Sequence, residues 1–243
     1  MTYITDGYRR TGRRLARKIT LTNLKLGAIT SLNRRIPTVE CQMTADITKI
    51  TADNGVAITY RRQTNKVQED GDLAADAVVV CAGVGSRHIA AQLGDRINVY
   101  PVKGYSITVH LDDEASQTGA PWVSLLDDQA KIVTSRLGRD RFRVAGTAEF
   151  NGFNRDIRHD RVRPLIDWVK QRFPNVSTSR VVPWAGLRPM MPDMMPRVRK
   201  GKRPGVFYNT GHGHLGWTLS CVTAEIVTDI IQESALELPA RGV

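Results

Sequence analysis

The 243-residue sequence predicts a mixed α/β fold, and three stretches carry that prediction. Val78-Val79-Val80 are consecutive and run into Gly83-Val84-Gly85-Ser86, so this strand is expected to be buried on both faces and to open into a helix. Residues 99–147 alternate apolar and polar positions between turn signals, the pattern of an antiparallel region. Val206-Phe207-Tyr208 leads through a glycine-rich loop into a long helix, a second strand–turn–helix unit.

From the N-terminus, Thr22 to Arg35 reads as a helix with Leu24, Leu26, Ile29 and Leu32 apolar, weakened by Gly27. After Pro37, Val39, Cys41 and Met43 alternate with polar residues, as in a half-buried strand. Residues 47–51 and 56–62 flank Asp53-Asn54-Gly55, where Asn-Gly supplies the positive φ angles of a tight hairpin turn. Asp76 to Ala82 reads as a central parallel strand, with a helix following through Ile89, Ala90 and Leu93. Ile107, Val109 and Leu111 form one alternating face, and Phe142 and Val144 another. Asp112-Asp113 and Gly138 to Arg141 mark turns. A helix is expected from about Arg158 to Phe173, with Val162, Leu165, Ile166 and Val169 on one face and Pro174 ending it. Pro183, Pro189, Pro192, Pro196 and Pro204 predict an irregular or extended stretch. The last helix is expected from about Gly216 to Gln232.

Composition narrows the function classes. The chain is 41% hydrophobic and 24% charged, which excludes wholesale disorder. No stretch approaches the roughly 18 uninterrupted apolar residues of a membrane span. Met1 to Asp6 lacks the basic start and apolar core of a cleaved secretory signal. Cys41, Cys81 and Cys221 are scattered and form no CxxC pair, which excludes a zinc ribbon and fits reduced thiols in a cytoplasmic setting. Lys+Arg number 35 against 24 Asp+Glu, a formal charge of +11. The excess clusters at Arg9, Arg10, Arg13, Arg14, Arg17 and Lys18, and at Arg197, Arg199, Lys200, Lys202 and Arg203. With no zinc finger or aromatic-studded RNA-binding pattern beside them, these clusters read as an Arg-rich surface, and no nucleic-acid partner is expected.

The sharpest motif is Asn209-Thr210-Gly211-His212-Gly213-His214-Leu215-Gly216-Trp217-Thr218-Leu219-Ser220. Its glycines permit positive φ and close backbone approach, and a helix N-terminus offers free N–H donors. Such a site suits phosphate or an electron-rich ring, and the same pattern also suits a tight turn with no ligand. His212 and His214 lack the helical metal spacing and have no acidic or thiol neighbour to complete a set, so no metal site is expected. In Trp184-Ala185-Gly186-Leu187-Arg188-Pro189, an arginine held between glycine and proline is a candidate bidentate clamp for a carboxylate. Pro101-Val102-Lys103-Gly104-Tyr105-Ser106 stands at the entrance to a strand and is otherwise a plain turn.

Taken in order, DAVVVCAGVGS (Asp76–Ser86), YPVKGYSITV (Tyr100–Val109), WAGLRPMMPD (Trp184–Asp193) and NTGHGHLGWTLSC (Asn209–Cys221) resemble the small subunits of bacterial D-amino acid dehydrogenases. These belong to the D-amino acid oxidase-like, FAD-dependent oxidoreductases, and the resemblance spans about residues 22–233. It implies FAD as cofactor and a D-amino acid such as D-alanine as substrate. The product would be an imino acid that hydrolyses to a 2-oxo acid and ammonia, the hydride passing to flavin N5. It implies that Arg188 pairs with the substrate carboxylate and that Tyr105 lines the substrate cavity. Gly83 and Gly85 would line the cofactor channel. Gly211, His212, Gly213, His214, Leu215, Gly216, Trp217 and Thr218 would lie along the flavin ring, with the following helix dipole favouring negative charge there. The electron acceptor would be membrane-linked, which implies a cytoplasmic protein peripherally associated with the inner membrane. The fold implied is an incomplete FAD-binding Rossmann-like domain, from residues 1–95 and 201–243, around an inserted antiparallel-sheet substrate domain over 96–200.

The departures are also specific. The family's N-terminal GxGxxG unit is absent: the first thirty residues offer Gly7, Gly12 and Gly27 but no such spacing. Gly83-Val84-Gly85-Ser86-Arg87-His88 keeps only the first two glycines. Met194-Met195 replaces a glycine-containing pair, and Arg197-Val198-Arg199-Lys200 replaces a Val-Ile-Gly-like segment. The resemblance is thus to the C-terminal half to two-thirds of such an enzyme. That implies weak or absent FAD binding by this chain alone, a non-catalytic remnant as the alternative reading, or a partner that supplies the N-terminal unit.

Overall fold

The structure is a computed structural model and describes residues 2–6, 18–22, 39–42, 45–53, 55–64 and 67–237. Among these, the first strands are β1 (Thr2–Asp6), β2 (Lys18–Thr22), β3 (Val39–Gln42), β4 (Ala45–Thr51), β5 (Val56–Thr64), β6 (Val67–Ala75) and β7 (Ala77–Val80), followed by α1 (Ser86–Gln92). Then come β8 (Tyr100–His110), α2 (Glu114–Gly119), β9 (Leu126–Asp127), β10 (Ile132–Arg136), β11 (Arg141–Phe150), α3 (His159–Arg172) and β12 (Val181–Met190). The chain closes with β13 (Arg197–Lys200), β14 (Val206–Thr210) and α4 (Ser220–Glu237). Two compact units result, one from residues 1–99 with 189–243 and one from residues 100–188. The helix expected over Thr22–Arg35 falls outside the described residues except for Thr22, which ends β2. The arginines of the N-terminal basic cluster, with Met43 and Asn54, also lie outside them.

In the first unit a six-stranded sheet runs β13-β14-β7-β1-β2-β3, and β4, β5 and β6 form a three-stranded antiparallel sheet. β7 is central, as expected, but it is parallel only to β14 and antiparallel to β1. Its three valines are all buried because both faces are covered. Val78 and Val80 pack with Ile50, Val56, Ile58, Leu93 and Tyr208, while Val79 packs with Phe207 and Val227. β6 runs through Gln68, Glu69, Asp70 and Asp72, residues that do not favour strands. Cross-strand partners supply what propensity does not. Arg61 bonds Asp70 at 2.8 Å, Thr59 bonds Asp72 at 2.8 Å, and the Tyr60 ring covers the space over Gly71, where a Cβ would meet it at 2.6 Å.

In the second unit the sheet order is β12-β8-β11-β10-β9, all antiparallel where register is defined. α3 covers this sheet with Val162, Leu165 and Val169 against Tyr105, Ile107, Val109, Phe142 and Val144. Gly146 lets it approach, since a Cβ there would stand 3.1 Å from Leu165. β8 is buried on both faces rather than alternating, and the polar residues on it are satisfied internally. Ser106, for example, accepts from Arg143 at 2.9 Å. The proline-rich stretch is extended and partly regular: Pro183 and Pro189 lie in β12, an edge strand, where a missing N–H breaks no ladder.

Candidate functional site

In the first unit, two glycine turns stand side by side at the C-terminal ends of the parallel strands β7 and β14. That is where open α/β sheets bind ligands. After β7, Gly83 takes φ +56° and faces open space, while Gly85 has an ordinary φ of −72° and opens α1. After β14, Gly211 and Gly213 take φ +77° and +58°. A buried hydrogen bond of 2.7 Å between Ser86 Oγ and Thr210 Oγ1 ties the two turns together. The structure therefore brings Gly83 and Gly85 beside Gly211 and Gly213.

The Gly211–Gly213 turn needs glycine twice over. Beyond positive φ, a Cβ on Gly211 would lie 2.6 Å from Met191 Cγ, and one on Gly213 would lie 2.7 Å from Met190 Sδ. Gly213 N–H also donates to Pro189 O at 3.0 Å. Gly211→Ala is expected to destabilise the chain by about 1–2 kcal/mol from the backbone alone. Urea denaturation checks this, and an unchanged midpoint would contradict it.

His212 is half-buried, and burial lowers its pKa. Its Nε2 lies 3.1 Å from Thr223 Oγ1, which itself donates to Leu219 O at 2.9 Å. With the threonine hydroxyl hydrogen committed to Leu219 O, its oxygen is left to accept from the imidazole Nε2–H. His214, Leu215, Trp217 and Thr218 are exposed, Trp217 at 86%, and Gly216 is partly buried. The expected helix start at Gly216 is corrected to Ser220. Ser220 sends both its N–H (3.3 Å) and its hydroxyl (2.8 Å) to Trp217 O. This i→i−3 closure delays the continuous α-helix. Gly216, Trp217 and Thr218 belong to the turn before the helix, and the positive helix end lies beyond them.

The other sequence-predicted residues, Arg188 and Tyr105, belong to the second unit. Arg188 is half-buried near the end of β12, and desolvation lowers its pKa from the usual guanidinium value. Its Nη1 donates to Thr147 O at 3.1 Å, and it has no carboxylate partner among the described residues. Its guanidinium lies over Gly104 so closely that a Cβ there would fall on it. Tyr105 is 1% exposed, and its hydroxyl donates to Glu149 Oε2 at 2.6 Å. In this geometry the tyrosine braces the strand. Beside it, Lys103 is fully buried and reaches Glu149 Oε2 at 3.1 Å, Asn154 Oδ1 at 3.0 Å and Asp156 O at 3.0 Å. Arg158 Nη1 donates to Glu149 Oε1 at 3.1 Å. Sequence reasoning missed Thr147, Glu149 and the use made of Gly104. The only local signal was Lys103-Gly104-Tyr105, which lies inside β8 and not in a turn.

The second basic cluster is partly paired. Arg197 bonds Asp193 at 2.8 Å, Arg203 bonds Asp53, and Lys202 Nζ donates to Gly94 O at 3.2 Å. No helix among the described residues is long and apolar enough to cross a membrane.

Residues 39–230 match the family described as FAD dependent oxidoreductase. A D-amino acid dehydrogenase 3 from Mesorhizobium japonicum is 67% identical over 170 residues, which cover 70% of this chain and 40% of the relative. A D-amino acid dehydrogenase from Paramagnetospirillum magneticum is 43% identical over 177 residues, covering 72% of this chain and 41% of the relative. The chain thus spans about two-fifths of the length of these relatives. Among solved structures, the glycine oxidase of Geobacillus kaustophilus superposes with a TM-score of 0.66 at 23% identity, covering 80% of this chain and 50% of that one. The iminodiacetate oxidase of Chelativorans sp. BNC1 gives 0.66 at 19% identity, covering 84% and 52%. These two likenesses concern the fold.

Proposed function

The chain belongs to the FAD dependent oxidoreductase family, and from that premise we propose that it forms part of an enzyme oxidising D-amino acids to 2-oxo acids and ammonia. The observation that carries this reading is Arg188, half-buried, seated over a glycine and without a carboxylate partner among the described residues. An arginine so placed is suited to an incoming carboxylate, which every amino acid carries. The likeness to D-amino acid dehydrogenases over most of this chain supports the choice of substrate class.

The glycine turns fit the cofactor. Gly83 opens onto free space after β7, and the Gly211–Gly213 turn stands beside it after the parallel strand β14. Gly83, Gly85, Gly211 and Gly213 would hold FAD, and the segment from His214 to Thr218 would flank it. When bound, FAD supplies the two-electron acceptor for the hydride that leaves the substrate α-carbon. Arg188 fixes the carboxylate and so aligns the Cα–H bond. His212, bonded to Thr223, braces the turn. The first unit is read as cofactor-binding, and the second as substrate-binding. A membrane-linked acceptor at a peripheral site completes the proposal.

The test is the visible spectrum of the purified chain after incubation with FAD and desalting. Retained flavin bands that bleach anaerobically with D-alanine would support the reading and overturn the expectation of weak or absent FAD binding by this chain alone. A colourless protein would overturn FAD binding by this chain alone.

A further inference from the structure

The three strands around Arg188 form one device. β12, β8 and β11 are neighbours in that order. The β8–β11 ladder pairs Tyr105 with Gly146 and Lys103 with Glu149, so Thr147 and Ala148 both stand opposite Gly104. This is a β-bulge, two residues against one. Arg188 starts from β12, crosses β8 above Gly104 and reaches the bulge carbonyl of Thr147 on β11 at 3.1 Å. Thr147 holds φ +61°, a left-handed conformation that a β-branched residue rarely adopts. Strain of this kind persists only where the surroundings over-determine it. Here they do. The side chains of Lys103 and Tyr105, on either side of Gly104, both bind Glu149, which closes the bulge. Successive side chains of a strand point to opposite faces, so this anchor lies on the face away from the guanidinium.

We propose that Gly104 and the Thr147 carbonyl are the positioning elements for Arg188, a seat that holds its guanidinium in one place before any ligand arrives. Gly104 serves by leaving room and not by special φ, since it is not among the residues with positive φ. One Nη1 hydrogen is spent on Thr147, and the remaining donors of the planar fork stay available to a carboxylate. The proposal rests on the reading of Arg188 as a carboxylate clamp.

The experiment uses the full chain and Gly104→Ala. The clash is with the far end of a flexible side chain, so the fold is expected to survive with an unchanged melting midpoint while the guanidinium moves. Phenylglyoxal modification of Arg188, mapped by peptide mass spectrometry with and without acetate, reads the seat directly. In the wild type, modification should be slow and slowed further by acetate. In Gly104→Ala it should be about tenfold faster, with acetate protection reduced by a similar factor. In flavin-loaded protein, KM for D-alanine should rise about tenfold with kcat little changed. Thr147→Pro, which cannot adopt the left-handed conformation, should speed modification as Gly104→Ala does. Thr147→Gly, which can, should retain the slow modification. Equal modification of Arg188 in wild type and Gly104→Ala overturns the seat. Failure of acetate to protect wild-type Arg188 overturns the clamp reading instead, and the modification rates without acetate still judge the seat.

Discussion

Replacing Glu149 with alanine is expected to lower the melting midpoint by about 10 °C, because it leaves a buried lysine without its counter-charge. Lys103 is fully buried, and after the change Asn154 Oδ1, the Asp156 carbonyl and the Tyr105 side chain, none of them a carboxylate, would face its ammonium. Burial is the largest single influence on Lys103 and lowers its pKa, yet Tyr105 and Glu149 together outweigh it and hold the pKa up. Without Glu149 the burial of Lys103 is opposed less. Lys103→Met should be milder, since Glu149 would keep the Tyr105 hydroxyl and Arg158. Thermal unfolding of both variants checks the order, and a Glu149→Ala midpoint equal to wild type would overturn it.

The same carboxylate gives the prediction a pH signature. The Tyr105 hydrogen bond, and then Lys103 and Arg158, outweigh burial and hold the Glu149 pKa below its ordinary value. A depressed folded pKa means that the stabilisation is fully present above the unfolded pKa, about 4.3, and is lost as pH falls through the folded value. Asp113, bonded to Ser116, and Asp127, bonded to Ala130 and Trp168, are depressed in the same direction and act in the same acid window. Glu149→Gln should therefore flatten part of the stability loss below about pH 4 and leave the rest. An acid titration of the melting midpoint distinguishes the two curves.

Arg188→Ala is expected to raise KM for D-alanine in flavin-loaded protein about a hundredfold or more, with little change in melting midpoint. The arginine makes one internal hydrogen bond, to a carbonyl, so the fold loses little. The substrate would lose a charge-assisted bidentate partner in a partly desolvated place, where such pairs are strong. Arg188→Lys should restore only part of the loss, because an ammonium on a flexible stem lacks the planar fork. Steady-state kinetics of the two variants, read with their melting curves, decides the point. Unchanged KM in Arg188→Ala would remove Arg188 from the site.

Local pattern revealed the elements whose stability is local or whose burial is complete. The valine strand β7 with its glycine turn, β14 with its loop, and α3 with its apolar stripe were all legible. β6 was not, because acidic residues and a glycine conceal a strand that Arg61, Thr59 and Tyr60 hold from across the sheet. The start of α4 was misplaced because a single serine diverts two hydrogen bonds to Trp217 O. At the site, Arg188 was marked by its glycine and proline neighbours. The bulge at Thr147 was invisible, since no residue there announces a left-handed turn. Gly104 read as a plain turn because its reason for being glycine is an arginine that arrives from a distant strand.

That last relation sets a rule for inheritance. A side chain at position 104 and a guanidinium seated from position 188 exclude each other, because both claim the same space. A lineage that keeps the arginine in this seat is confined to glycine at 104. Once the arginine is lost, glycine is no longer required there and drift can fill the gap. Positions 104 and 188 are therefore expected to vary together across descendants of this fold, although they stand far apart in the chain.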